Sequence, residues 1–392
     1  MKNIYYNKQF LNQSDFKEVK KALKENLITT GPYVDKLELS LQKYLKTKNA
    51  ITCSSGTSAI FLALKSLELK TGDRIIMPSI NFIASTNIAE MLGLKVYLAD
   101  VDSFTGQMTP QTLKDCIDYN KLTNVQAVVT MYLGGNPNNI LEFYKLKKKL
   151  NFFLIEDSCH ALGAKYFLNK KSFMVGCAKH CDISTFSMHP VKSITSGEGG
   201  IVTTNNFKIA NKIRLLRSHG MNRKSKLSNK NHYWKYDIIS PSLNFRLSDI
   251  NAALAYSQLK KLSEFVKRRH QLYLRYKKEF SDMQNIIKIV TVEKGSISAH
   301  HLLIIIIDFS RLSINKDTLI EYINKKKIFP QYHYIPIYKF SYYKKLKKKS
   351  NFKNSETYYQ NALSLPLYYK LKIKDLMKIT ISIKKILKDN EL

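Results

Sequence analysis

Between residues 50 and 220 short apolar runs alternate with stretches of helical periodicity, and this pattern limits the fold more than any other feature. Seven strand candidates stand in order: Ala50–Ser54, Arg74–Pro78, Lys95–Asp100, Ala127–Leu133, Phe152–Asp157, Ile183–Ser187 and Gly200–Thr204. Between several of them lie stretches such as Ser58–Leu67 and Phe82–Leu92, with apolar residues three and four apart, as on one face of a helix. This alternation predicts an α/β protein with a mostly parallel sheet covered by helices on both faces. In such sheets ligands sit at the carboxyl ends of the strands, so polar residues that close a strand are the ones to inspect.

The rest of the chain reads differently. Met221 to Ser240 is polar, rich in Lys and Asn, and without periodicity, which predicts a long loop. A helical pattern from Ser248 through Lys278 follows, with apolar Ala252, Leu254, Ala255, Leu259, Leu262 and Phe265. Strand runs near Ile286–Val292 and His301–Asp308 and a helical Lys316–Lys327 then suggest a smaller α+β unit. The expected division is a large domain over residues 1–260, N-terminal segment included, and a small C-terminal domain over 261–392. The basic, tyrosine-containing Lys339–Lys353 reads as a solvated surface segment.

The 64 Lys and Arg against 30 Asp and Glu give a net charge of +34, but 55 of the 64 are Lys, spread along the whole length. Surfaces that read phosphates and bases lean on the fork geometry of Arg, so the excess fits compositional drift on a soluble enzyme better than a nucleic-acid-binding face. No membrane partner is expected either, because the most apolar run, Leu302–Ile307, is far too short to cross a bilayer. The first residues lack the apolar core of a signal peptide, and five scattered cysteines make no disulfide framework. Cys177, His180 and Cys181 form only a faint metal clip without a second pair, and no metal is expected. Together these features predict a cytoplasmic protein.

Four constellations close strand candidates. Ser54-Ser55-Gly56-Thr57-Ser58 offers hydroxyls and free backbone N–H groups at a helix start, either to an anion such as phosphate or simply as an N-cap. Ile155-Glu156-Asp157-Ser158-Cys159-His160 ends a buried run in two carboxylates. Asp157 needs a partner to stay ionised there; a protonated pyridine nitrogen would serve, and so would a structural capping role. Lys192, in His189-Pro190-Val191-Lys192, follows a strand end and precedes a glycine-rich turn, where an amine can be desolvated and lose its proton more readily. Asn244-Phe245-Arg246, after the polar loop, says nothing alone.

Taken in order, these motifs resemble the DegT/StrS family of pyridoxal-phosphate-dependent sugar-nucleotide aminotransferases, of the aspartate aminotransferase (type I) fold. The resemblance begins at Leu27-Ile28-Thr29-Thr30-Gly31-Pro32 and runs through Ser55-Gly56-Thr57, Pro78–Ser85, Glu156-Asp157 with His160, and the Lys192 segment. It ends near His333-Tyr334-Ile335-Pro336. Within the family, the His189–Lys192 and Thr195–Gly200 wording and Gln331–Tyr338 are most similar to the 4-aminotransferases of pseudaminic acid synthesis. That branch takes L-glutamate and UDP-2-acetamido-2,6-dideoxy-β-L-arabino-hexos-4-ulose, and its product feeds a sugar of flagellin and surface glycans.

The resemblance implies pyridoxal 5′-phosphate as cofactor and a role for each matching residue. Lys192 would bind the cofactor and move the proton, Asp157 would pair with the pyridinium nitrogen, and Phe82 would stack on the ring. Gly56, Thr57 and Ser187 would hold the phosphate, with His160 close to the ring. Asn244 would reach the phosphate of a neighbouring subunit's cofactor, which implies a homodimer. Tyr6, Thr29, Gln331 and His333 fall where this branch touches the sugar nucleotide. Asn81 stands where the family more often has Thr, and Leu243 replaces the usual Gly-aromatic approach to Asn244. Rival readings are another nucleotide-linked 4-keto-6-deoxy sugar, of the bacillosamine or GDP-perosamine type, and a pyridoxal-fold nucleic-acid-binding regulator. The family's sugar 3-dehydratases lack a lysine anchor, which Lys192 supplies.

Overall fold

The computed structural model describes residues 3–223 and 234–392, with the backbone alone for Lys348 and Lys349. Its centre is a seven-stranded sheet of β1 (Asn49–Cys53), β2 (Arg74–Pro78), β3 (Lys95–Ala99), β4 (Ala127–Met131), β5 (Phe153–Asp157), β6 (Ile183–Ser187) and β7 (Gly200–Thr204), in the spatial order β1-β7-β6-β5-β4-β2-β3. All neighbours run parallel except β7, which is antiparallel to both β1 and β6. Each strand candidate is thus a strand: Arg74–Pro78, Ile183–Ser187 and Gly200–Thr204 keep their bounds, and the other four shift at an end by a residue or two.

Alternation along each strand sends neighbours to opposite faces. Ile51, Cys53, Ile75, Met77, Leu98 and Val129 pack under the helices Gly56–Ser66, Ala84–Met91 and Phe207–Leu216. On the other face Ala50, Phe186 and Ile201 meet helix Pro32–Leu45 and the first half of the long helix Asp249–Glu279. Ile76, Val128 and Leu154 meet Pro110–Tyr119 and Ile140–Leu150. Burial on both faces is what removes any polar alternation from these strands.

Ser248 starts the long helix by accepting from Asn251 N, and the helix runs unbroken for 31 residues. Ala252, Ala255, Leu259, Leu262 and Phe265 pack with the central sheet, whereas Leu272 and Tyr276 pack with the C-terminal unit. That unit is a three-stranded antiparallel sheet, β8 (Ile287–Ile289), β9 (Leu303–Ile307) and β10 (Ala362–Leu365), backed by helices Lys316–Lys325 and Ile373–Lys388. The N-terminal residues Ile4–Tyr5 run parallel to Ile328–Phe329, which ties the start of the chain to this unit.

Two sequence expectations change. Lys339–Lys353 is not simply a solvated segment: Tyr343, Leu346 and Phe352 are buried with Ile337 and Tyr338 against the central sheet. Its 3-10 turns put residues three apart on one side, so Tyr343 and Leu346 dive while Lys344, Lys345 and Lys347 stay out. Residues 224–233 of the polar loop lie outside the described residues. Its ends form a two-residue ribbon, Met221–Asn222 with Asp237–Ile238. Among the described residues no helix is long and apolar enough to cross a membrane, and no group of three or more His, Cys, Asp or Glu could hold a metal ion.

Candidate active site

At the carboxyl ends of β1, β5 and β6 lies a cavity of about 640 Å³, closed on its far side by Gln331–Ile335. Its floor follows from backbone geometry. After β1 the chain turns at Ser55, whose Oγ accepts from Ser58 N, and enters helix Gly56–Ser66. The N–H groups of Gly56 and Thr57, at the first two positions, have no carbonyl one turn back to meet, so they remain for an anion. Gly56 sits against β6: a Cβ there would lie 2.8 Å from the Ser187 Cβ. Gly200, which opens β7, is packed so closely that a Cβ would lie 2.0 Å from the Ser55 carbonyl oxygen. Both positions admit only glycine, and together they bring the helix start to Ser187 and the Lys192 loop.

That loop, Met188–Gly199, is closed by Met188 N on Gly199 O at 2.8 Å and Ser196 N on Met188 O at 2.9 Å. Lys192 N donates to His189 O at 2.8 Å. The Lys192 side chain is half-buried, its open part lining the cavity. Burial pulls its pKa down, and the nearby Cys159 and Asp157 only partly offset this. An amine of that kind gives up its proton more readily than a surface lysine.

Asp157, the last residue of β5, points into the cavity, and its Oδ1 accepts from Cys159 N at 3.2 Å. Burial pushes its pKa up, against the Cys159 hydrogen bonds, Lys192 and Asn81. The preceding Glu156 faces the opposite side of the sheet, where Tyr132 Oη donates to Oε1 at 2.7 Å and Ser184 Oγ to Oε2. Strand alternation therefore assigns only one of the two carboxylates to the cavity.

His160 accepts from Gly134 N at Nδ1 over 3.4 Å and lies 3.0 Å from Tyr334 Oη at Nε2. This pattern makes it a neutral Nε2–H tautomer donating to the tyrosine. Burial first, then Lys192, His301 and His333, hold its pKa well below the ordinary value. Phe82 stands at the rim with 54% of its surface exposed and its ring 6.0 Å from that of Tyr334. The Asn81 Oδ1 accepts from Phe82 N at 2.7 Å and so sets this turn.

Of the sequence-predicted residues, Lys192, Asp157, Gly56, Thr57, Phe82, His160, Ser187, Tyr6, Gln331 and His333 all line this one cavity. Thr29 and Asn244 do not. Thr29 is exposed and bridges to Ser248, and Asn244 bridges to Ser218, with its Oδ1 accepting from Arg246 N at 3.2 Å. The Leu27–Pro32 motif has a structural cause, because the buried Asp249 carboxylate accepts from Gly31 N and Tyr33 N at 2.7 Å each and caps helix Pro32–Leu45.

His301, Tyr334 and Asn81 also line the cavity and were not legible as site residues. His301 packs against His160 with ring centres 4.2 Å apart and the rings tilted by 41°, and its Nδ1 is buried without a partner. Asn81 Nδ2 is likewise buried with no hydrogen bond, although the residue lies near enough to Asp157 to stabilise its charge. A free helix start, a half-buried amine, a buried carboxylate, a half-exposed aromatic ring and polar atoms without partners fit a planar, phosphate-bearing cofactor with a basic ring nitrogen.

The comparisons agree with this arrangement. The chain is 35% identical over 373 residues, 95% of its length and 94% of the relative's, to a UDP-4-amino-4,6-dideoxy-N-acetyl-beta-L-altrosamine transaminase of Campylobacter jejuni subsp. jejuni. It is 32% identical to an uncharacterized protein of Methanocaldococcus jannaschii, over 97% of this chain and 96% of that one. Helicobacter pylori PseC, an aminotransferase involved in the biosynthesis of pseudoaminic acid, superposes with a TM-score of 0.89 at 29% identity. That match covers 99% of this chain and 100% of PseC. The DegT/DnrJ/EryC1/StrS aminotransferase family matches residues 9–384. With a half-buried lysine and a buried aspartate at one cavity beside this sheet, the protein is a sugar aminotransferase, and the chain belongs to the DegT/DnrJ/EryC1/StrS aminotransferase family.

Proposed function

We propose that this protein transfers the amino group of L-glutamate to C4 of UDP-2-acetamido-2,6-dideoxy-β-L-arabino-hexos-4-ulose. The product is UDP-4-amino-4,6-dideoxy-N-acetyl-β-L-altrosamine. The observation that carries the choice of sugar is the likeness, over nearly the whole chain, to a transaminase named for that product.

Aminotransferases of this family depend on pyridoxal 5′-phosphate, which supplies an electron sink for the C–H bond that is broken. Gly56 N–H, Thr57 N–H and Ser187 Oγ would hold its phosphate. Asp157 keeps the ring nitrogen protonated, and a cation there offsets the burial that otherwise favours the neutral acid. Phe82 would stack on the ring, and His160, neutral and fixed by Gly134 and Tyr334, would lie close to it. Lys192 would hold the group and would carry the proton to and from the reacting carbon, a role that its lowered pKa suits. Tyr6, Gln331 and His333 face the sugar nucleotide.

Thr29 and Asn244 serve the cavity of a second copy in a homodimer. The exposed Leu27, Ile28, Ile238, Ile239 and Leu243, close to them in sequence, favour a covered face there. The test is the first half-reaction. On adding L-glutamate to purified protein, cofactor absorbance converts from the aldehyde form to the amine form and 2-oxoglutarate appears. No conversion overturns the proposal.

A further inference from the structure

Lys316 opens helix Lys316–Lys325, a poor place for a cation, since helix N-termini favour negative charge. It is nevertheless buried, with 8% of its surface exposed. Its ammonium lies 4.4 Å from the ring centre of Tyr332 and 4.2 Å from that of Tyr359, and it donates to the Tyr359 carbonyl oxygen. The next residue, Asp317, accepts from Tyr332 Oη at 2.7 Å. Tyr332 is therefore held at its ring by one residue and at its hydroxyl by the following one.

Tyr332 is part of the cavity wall, between Gln331 and His333. Those two neighbours are held from the other side. Gln331 and Ser364 exchange backbone hydrogen bonds at 3.0 Å, and His333 Nδ1 lies 2.9 Å from Ser364 Oγ. Tyr358 Oη donates to His333 O at 3.1 Å. The wall thus hangs between β10 and the start of helix Lys316–Lys325, and the buried cation is its second fixing point.

We propose that Lys316 is a positioning residue for the Gln331–Tyr334 wall: its charge, held between Tyr332 and Tyr359, sets the geometry of the sugar-nucleotide side of the cavity without touching the sugar. This rests on the reading above that the wall faces the sugar nucleotide. The charged groups around Lys316 are Asp317 on its own helix, Lys339, and Glu356 on helix Lys353–Asn361. Lys339 lies 5.4 Å from the Tyr359 ring centre and pairs with Glu356 at 2.6 Å. Burial, with Lys339, brings the Lys316 pKa down to about 8 against Asp317. The cation is present below that pH and lost above it, where the attraction to both rings weakens. Arginine at this position would stay charged throughout.

The experiment compares wild type, Lys316→Met and Lys316→Arg as holoenzymes between pH 7 and 9.5, with L-glutamate and the UDP-linked L-arabino 4-keto sugar. At pH 7.5, Lys316→Met raises KM for the sugar by about tenfold while the glutamate half-reaction stays within about twofold. Lys316→Arg restores the wild-type KM. Above pH 8 the wild-type KM for the sugar climbs and that of Lys316→Arg does not. Equal loss in both half-reactions, or the same pH profile in wild type and Lys316→Arg, overturns the proposal. If the wild type turns over no such sugar, the substrate reading fails separately. Calorimetric Kd values for UDP-N-acetylglucosamine then judge Lys316, and equal values in wild type and Lys316→Met overturn its role.

Discussion

Asn7 holds the residue next to Lys192: its Nδ2 donates to the Val191 carbonyl oxygen at 2.7 Å, across 184 positions of sequence. The Asn7 Oδ1 in turn accepts from Arg269 Nη2 at 3.3 Å, and Arg269 Nη1 reaches Leu367 O at 2.6 Å and His301 O at 3.1 Å. One buried guanidinium and one amide thus join the start of the chain, the long helix and the backbone beneath a cavity histidine to the Lys192 loop.

Asn7→Ala removes the bond to Val191. A lost bond of this kind is worth about 1 kcal/mol, equivalent to roughly a fivefold change in rate if it acts on the position of Lys192. Single-turnover absorbance with L-glutamate is expected to slow by about that factor while bound cofactor is retained. An unchanged rate would leave Asn7 a role in packing alone.

Lys192→Ala and Asp157→Asn are expected to separate chemistry from folding. Both side chains open to the cavity, so melting temperatures stay close to wild type. Lys192→Ala abolishes turnover, and Asp157→Asn lowers kcat by about two to four orders of magnitude, the range of a positioned proton-handling group. Substantial turnover in either variant by coupled 2-oxoglutarate assay contradicts the assigned roles.

Gly56→Ala and Gly200→Ala test the phosphate cradle. Their Cβ atoms would meet Ser187 Cβ at 2.8 Å and Ser55 O at 2.0 Å, and forcing atoms into such space costs about 1–3 kcal/mol. The expected result is a folded protein, less stable in denaturant, that loses cofactor on gel filtration. Retention of cofactor in both variants would move the phosphate elsewhere.

Stability is expected to fall on acidification. Burial holds His300 and His333 down at about 3, and His160 and His301 well below the ordinary value. A histidine with a lowered folded pKa contributes stability that is fully present above the unfolded value near 6.5, and that is lost as pH falls from there toward the folded pKa. At pH 5, one such group costs about 2 kcal/mol relative to pH 7.5. Unfolding free energies from urea titrations at the two pH values are expected to move closer together in His333→Gln by that amount. An unchanged gap would show that His333 is free to protonate in the folded protein.

The strands were legible because burial on both faces leaves unbroken apolar runs, and Asp157 and Lys192 stood out because the one ends such a run and the other lies in the loop just after one. His301 was not, since it precedes β9 as the second of two adjacent histidines and is held at the site by distant partners, among them Gly134 O, which accepts from its N–H at 2.9 Å. Such a contact, from 167 positions away, leaves no local signal. Lys316 was equally hidden among 55 lysines. Tyr343 and Leu346 were masked by the surrounding charge, which the 3-10 turns sort to one side. The motif at Thr29 was legible, but its backbone is set by Asp249, far away in sequence.

The most direct test of the account loads the protein with its amine-form cofactor, using L-glutamate, and offers UDP-linked 4-keto-6-deoxy sugars of the L-arabino and D-xylo series separately. Return of the aldehyde-form absorbance with the L-arabino sugar alone, and an amino-for-oxo mass change in that sugar, is the predicted result. Return with the D-xylo sugar alone would contradict the proposed substrate and move the enzyme to a bacillosamine-type reaction.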